Sequence, residues 1–267
     1  MNGRGVIYLA SGGRSYLGEL LTSLRSLRSH EPDLPVTVFS KFAPPRSAKC
    51  DYVAMDEREH PLKQKVMVLR QSPYPETLFL DTDTTVLGSV TPIFDFLREM
   101  DFAVANMFEA DWSKRPPRLL NLVKPNDYNT GVLLYNNSPQ TRAFLECWER
   151  AVRAQDPADM WAGHNCDQDY FNKIVREGAA AASGIRLGTF PNTVYNVRGI
   201  MVGEMKSRGL WPAARILHHR TRSMKLRKAL FSVTDPMTAR EIALKAWNRV
   251  SDALGRRTRD TRNRPVP

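Results

Sequence analysis

Long apolar runs are missing from this 267-residue chain. No stretch approaches the roughly 20 residues that cross a bilayer, and the apolar part of the opening ten residues is too short for a secretory signal. Cysteine is scarce as well. Cys50, Cys147 and Cys166 are odd in number and widely spaced, which excludes a disulfide framework or a thiol metal cluster and suits a reducing cytoplasm. Internal repeats and a G-x-G-x-x-G element are absent. Acidic residues are thin at one end: from Lys206 to Pro267 there are 16 Lys and Arg against 4 Asp and Glu. The net charge of +11 therefore resides entirely in the last quarter. Such an end attracts an anionic membrane surface, nucleic acid or an acidic polymer alike. Stacking residues are few there, only Trp211, Phe231 and Trp247, so nucleic acid is not the expected partner.

What remains is ordinary globular composition, 42% hydrophobic and 25% charged, enough for one large core. Val6 to Ala10 reads as a strand, Ser11 to Tyr16 as a glycine-containing turn, and Leu17, Leu20, Leu21, Leu24 and Leu27 as one face of a helix. Strand, turn and helix open an α/β domain. The glycines permit close approach and the helix start offers free N–H groups to a ligand, although most turns of this kind merely connect.

The centre of the pattern is Leu78-Phe-Leu-Asp-Thr-Asp83. A short buried strand ends in two aspartates one residue apart, and strand alternation predicts that Asp81 and Asp83 project to one side with Thr82 opposite. Paired carboxylates repel, and a divalent cation relieves that cost while keeping positions for substrate phosphates. A solvated turn is the competing reading.

Further strands are expected over Pro35–Phe39, Asp51–Val53, Phe102–Asn106, Leu187–Phe190, Val194–Val197 and Ile216–His219, and short helices over Pro61–Arg70 and Val90–Phe96. Lys63 and Lys65 flank the apolar positions of the first helix, either solvated or reaching the phosphate site. Asn129 and Gly131 open an apolar strand, where glycine permits close approach. Ser138 to Ala154 predicts a helix with Phe144, Cys147, Trp148 and Ala151 facing the core. Asp167-Gln-Asp169 opens another, with Asp167 an N-cap or a functional carboxylate. Phe108 to Asn126, with Glu109, Asp111, Trp112 and Lys114 to Arg118, reads as a loop of the length used for substrate lids. The chain is expected to divide into a catalytic domain at 1–235, a basic amphipathic helix at 236–256, centred on Thr238 to Arg256, and an Arg-rich disordered tail at 257–267.

Taken in order, Leu78-x-Leu-Asp-x-Asp83, Asn129-Thr-Gly-Val132, Asp167-Gln-Asp169 and a late histidine resemble the GT-A glycosyltransferases, most nearly the retaining, glycogenin-like and lipopolysaccharide galactosyltransferase-like group. The resemblance runs from about Val6 to about His219. It implies a Rossmann-like nucleotide-diphospho-sugar transferase fold of the α/β class, with a mixed central sheet and flanking helices. It also implies hexosyl transfer from a nucleotide-sugar donor to a glycan, lipid-linked or protein acceptor, with retention. Asp81, Asp83 and His218 would hold Mn²⁺ or Mg²⁺, with His219 an equal neighbour of His218 by sequence. Ala10, Ser11, Tyr16 and Thr82 would border the nucleotide, Lys65 the phosphates or donor sugar, and Asn129, Gly131, Asp167 and Gln168 the reacting sugar. The competing classes are a sugar nucleotidyltransferase, whose Gly-rich loop Ser11 to Tyr16 matches poorly, and a non-enzymatic basic nucleic-acid binder. A cytoplasmic location is expected, with the basic end suited to peripheral contact with an anionic membrane.

Overall fold

The structure, a computed structural model, describes residues 3–11, 14–55, 61–107, 127–155 and 167–219. By its contacts the chain divides into two units, residues 1–220 and 221–267. The described residues belong to the first. The Gly12-Gly13 pair, the 108–126 and 156–166 loops, the C-terminal helix and the tail lie outside them.

Seven strands form the main sheet: β1 (Arg4–Ala10), β2 (Val36–Ser40), β3 (Asp51–Ala54), β4 (Glu76–Leu80), β6 (Phe102–Asn106), β7 (Tyr128–Asn136) and β8 (Leu187–Phe190). Their order is β3-β2-β1-β4-β7-β6-β8. The first four are parallel, β7 runs antiparallel to both β4 and β6, and β8 is parallel to β6. A second sheet joins β5 (Thr84–Val86), β10 (Ile216–His218) and β9 (Val197–Arg198), in that order.

Helices cover both faces: α1 (Arg14–His30), α2 (Pro61–Leu69), α3 (Pro139–Arg153), α4 (Asp167–Arg176), and the shorter α5 (Ala179–Ser183), α6 (Asn192–Tyr195) and α7 (Val202–Ser207). Strand alternation sorts the core into two layers. Val6, Tyr8, Leu78, Leu80, Val132 and Leu134 share one cluster with Leu20, Leu24 and Leu27 of α1. Ile7, Phe79, Leu133 and Tyr135 share the other with Val66 of α2, Phe144 and Trp148 of α3 and Phe171 of α4. Helix α3 begins where Ser138 Oγ accepts the Thr141 N–H at 3.2 Å and Pro139 fills the first turn, an N-cap that sequence alone signals.

Between β1 and β4 the sheet changes direction of growth, since β2 lies on one side and β4 on the other. Such a switch point leaves a crevice beyond the carboxyl ends of two parallel strands. Here those ends are Ala10-Ser11 and Leu80-Asp81, with Tyr8 in register opposite Leu80.

Two expectations fail. Of Val194 to Val197 only Val197 is in a strand, as the first residue of β9: the Pro191 carbonyl accepts from Val194 and Tyr195 N–H at 3.1 and 3.0 Å, closing a single helical turn just before it. Tyr195 then packs edge-on against Phe96 at 6.1 Å, so burial of the ring outweighs the β-propensity of its β-branched neighbours. Nor do Asp81 to Asp83 continue β4. The Asp81 carbonyl accepts from Thr84 N–H and Oγ1 at 3.2 and 2.8 Å, so a tight turn, not strand alternation, brings the two carboxylates together.

Candidate functional site

That turn is fixed from several directions. Asp81 N–H donates to the Gly131 carbonyl at 2.8 Å. A buried hydroxyl chain links Tyr8, Ser23 of α1 and Thr84 at 3.1 and 2.8 Å, and Thr84 passes it on to Asp81. Thr82, also buried, donates to Glu19 Oε2 at 3.4 Å.

Strand β5 follows the turn at once, and β10 pairs with it so that His218 stands opposite Thr84. His218 Nε2 thereby lies 3.2 Å from Asp83 Oδ1 and 3.7 Å from Asp81 Oδ2. The ligand atoms of these three residues all fall within 4.8 Å of one another. Two carboxylates and an imidazole nitrogen at that spacing fit a divalent cation and leave positions open for other oxygens. His219 is directed elsewhere, with Nε2 at 2.8 Å from Thr85 Oγ1 and its N–H donating to the Asp83 carbonyl at 2.9 Å. Register therefore separates two histidines that sequence left equivalent.

Gly131 has a role unlike the close ligand approach expected of it. A Cβ at this position would overlap the His218 ring, so the bare backbone of β7 is what admits the imidazole.

Lys65, on α2, is buried between two acids. Its Nζ lies 3.1 Å from Asp81 Oδ1 and 3.0 Å from Asp167 Oδ2, and 4.9 Å from the centre of the Phe79 ring. Thr130 donates to the same Asp167 oxygen at 2.8 Å. Burial alone would lower the Lys65 pKa, but Asp167 and then Asp81 outweigh it and hold the ammonium well above the lysine range. Burial pushes the Asp81 carboxyl above its ordinary range, against the pull of Lys65 and His218. Burial acts on Asp83 in the same sense, yet the hydrogen bond and charge of His218 hold it below that range.

Where β7 meets α4, Asn129 Nδ2 donates to Gln168 Oε1 at 2.7 Å, and Trp148 Nε1 donates to the Asp167 carbonyl at 2.9 Å, pinning the start of α4. Trp148 is thus both core and support. Ala10 and Ser11 are buried at the end of β1. Tyr16 is 45% exposed, and burial, followed by the Glu19 and Asp83 charges, raises its hydroxyl pKa. Among the described residues, Lys65, Asp81, Asp83, Asn129, Asp167 and His218 are thus brought together beyond the carboxyl edge of β4 and the start of β7, whereas Lys63 Nζ instead donates to the Arg153 and Gln155 carbonyls at 3.2 and 2.9 Å. Sequence reasoning missed Glu19, Thr130 and Asn196. The last is buried and bonded to both Asn129 and His218. An asparagine between Tyr195 and Val197 carries no period or motif that would have singled it out.

The family profile for nucleotide-diphospho-sugar transferases matches residues 47–220. No curated protein sequence matches the chain. Among solved structures, the glycosyltransferase GlyE of Streptococcus pneumoniae superimposes with a TM-score of 0.56 at 17% identity, over 81% of this chain and 54% of that one. The bifunctional glycosyltransferase WbbM gives 0.54 at 14%, over 82% and 46%, and mouse xyloside xylosyltransferase 1 gives 0.50 at 15%, over 82% and 98%. The chain thus spans about half the length of the first two.

Proposed function

The chain belongs to the nucleotide-diphospho-sugar transferase family and has the GT-A fold, and on that premise we propose that it transfers a sugar from a nucleotide-diphosphate donor to a glycan, lipid-linked or protein acceptor. The transfer is metal-dependent, with Mn²⁺ or Mg²⁺, and retains anomeric configuration. The observation that carries this reading is the convergence of Asp81, Asp83 and His218 at the switch point, next to the buried Lys65–Asp167 pair.

In this reading Asp81, Asp83 and His218 hold the cation, which when bound neutralises charge on the departing diphosphate. Ala10, Ser11, Tyr16 and Thr82 border the nucleotide. Lys65 holds Asp81 and Asp167 in place, and its own charge lies on the side where negative charge develops. Asp167, held by Lys65 and Thr130, favours the positive charge of an oxocarbenium-like sugar. Asn129 and Gln168 orient sugar hydroxyls. The basic last quarter gives peripheral contact with an anionic surface such as one bearing a lipid-linked acceptor. Deleting the residues after Thr238 should release the protein from anionic vesicles, and undiminished binding would refute that contact.

The test of the central reading is thermal stabilisation by UDP, GDP, CMP and dTDP, each with Mn²⁺ and with EDTA. A ligand at about 100 times its Kd stabilises the native state by about 2.7 kcal/mol, or roughly 5–10 °C for a domain of this size. A shift with one nucleotide that EDTA abolishes, and that Asp83→Ala also abolishes, is the expected result. A shift indifferent to both would overturn the metal dependence.

A further inference from the structure

The hydrogen bonds behind His218 have a direction, and one backbone group sets it. The Gly131 N–H can only donate, and it points at Asn129 Oδ1 at 3.2 Å. That fixes the Asn129 amide, whose Nδ2 faces Gln168 Oε1 at 2.7 Å. The same Oδ1 accepts from Asn196 Nδ2 at 2.8 Å, which turns the Asn196 oxygen toward His218 Nδ1 at 3.0 Å. An amide oxygen only accepts, so Nδ1 carries the proton. The charged ring also donates from Nε2 toward Asp83 and Asp81, whereas the neutral ring, the form that can take a cation, keeps its one N–H on Nδ1 and presents the Nε2 lone pair on that side. Asn196 is 1% exposed and Asn129 5%, so water offers little competition for these bonds.

We propose that Asn196 is a positioning residue, which holds His218 in the Nδ1–H tautomer so that Nε2 is available to a divalent cation. Through Asn129, the same chain ties the orientation of that ligand to Gln168 on the sugar-side flank. Asn196 adjoins β9 and Asn129 lies at the start of β7, so the second sheet contributes both the ligand and the group that orients it. This assignment rests on the metal-dependent reading above. A filler of the core would give Asn196 the same burial but no hold on the tautomer.

The test uses the full chain labelled with ¹⁵N-histidine, and the His218 signal is identified by its loss in His218→Ala. In the metal-free protein, at a pH where the ring is neutral, a long-range ¹H–¹⁵N spectrum should show the Nδ1–H, bare-Nε2 pattern. Mn²⁺ affinity, read by calorimetry without any donor, should fall about 10–100-fold in Asn196→Leu, the range seen for partners behind a metal ligand. Asn196→Asp keeps an acceptor for Nδ1–H but turns an oxygen in place of the amide N–H toward Asn129 Oδ1, so its Mn²⁺ affinity should fall less than that of Asn196→Leu. A proton on Nε2 in the unmodified protein overturns the assignment and needs no variant to fold. Equal Mn²⁺ affinity in the parent and Asn196→Leu overturns it alone. A parent that keeps the Nδ1–H pattern but binds no Mn²⁺ removes the metal reading, and this assignment with it.

Discussion

Replacing Lys65 by methionine removes one cation from between two carboxylates and leaves the apolar stem largely in place. The Nζ atom lies 3.1 Å from Asp81 and 3.0 Å from Asp167, on a side chain that is 7% exposed. At an effective dielectric of about 20, Coulomb's law gives each contact about 5 kcal/mol. Desolvation offsets most of that, and removing the lysine while Asp167 stays buried and Asp81 half-buried costs about 3–5 kcal/mol. Lys65→Met should therefore be destabilised by that amount at neutral pH. The pH dependence has a definite sign. Burial already holds the Asp81 carboxyl above its ordinary range against the pull of Lys65, and without Lys65 it rises further, so the native state binds more protons than the unfolded chain. Its stability then increases as the pH is lowered from neutral toward the carboxylate range. Mn²⁺ compensates Asp81 in place of the lysine and should stabilise the variant more than the parent. Urea unfolding followed by tryptophan fluorescence, at both ends of this range and with or without Mn²⁺, reads all three effects. A variant within about 1 kcal/mol of the parent at both pH values, the range of an exposed ion pair, would refute the buried-cation account.

Gly131→Ala should displace the His218 ring, lowering Mn²⁺ affinity by at least about 10-fold and stability by about 1–3 kcal/mol; parent-like calorimetry would show that the ring does not depend on the bare backbone. His218→Ala should lose the EDTA-sensitive thermal shift, whereas His219→Ala should keep it and lose about 1 kcal/mol of stability with its Thr85 bond. The opposite assignment of the shift would exchange their roles. The Arg186 side chain, its backbone N–H and Asn136 hold the Asp101 carboxyl down at about 2. That stability is present above the unfolded carboxylate range and is lost as the pH falls from about 4 through about 2. Asp101→Asn should therefore flatten this limb of an acid titration followed by circular dichroism, and an unchanged limb would remove Asp101 from the acid response.

Local periodicity explains which parts were legible. Phe102–Asn106 and Leu187–Phe190 have the bounds read from sequence, because each is an apolar run closed by polar or turn-forming residues. Asp81 and Asp83 stood out for the same reason, as charge after an apolar strand. Strand β5 did not, since Thr84–Val86 is too short to display a period. Without β5 the register that selects His218 over His219 has no partner to be measured against. The failed strand at Val194 to Val197 shows the opposite limit, where a turn closed by Pro191 and the burial of Tyr195 override residues that prefer extension. The Asn129–Asn196–His218 chain joins three separate segments, and no local pattern records a contact made only after the sheets have formed.

The pairing of β5 with β10 also has a consequence in time. Thr85 and His219 touch across 134 residues of sequence, so the histidine corner of the site is supplied by the last described strand. During synthesis the main sheet can assemble while this corner is still unmade. Three residues of pairing with β5, the β9 contact and the burial of Ile216 and Leu217 then hold the corner, and a cation bridging Asp81, Asp83 and His218 would add to them. The cation would then serve as a clasp on the long loop as well as a reagent, and depletion of metal would be expected to loosen the end of the domain before it disturbs the sheet.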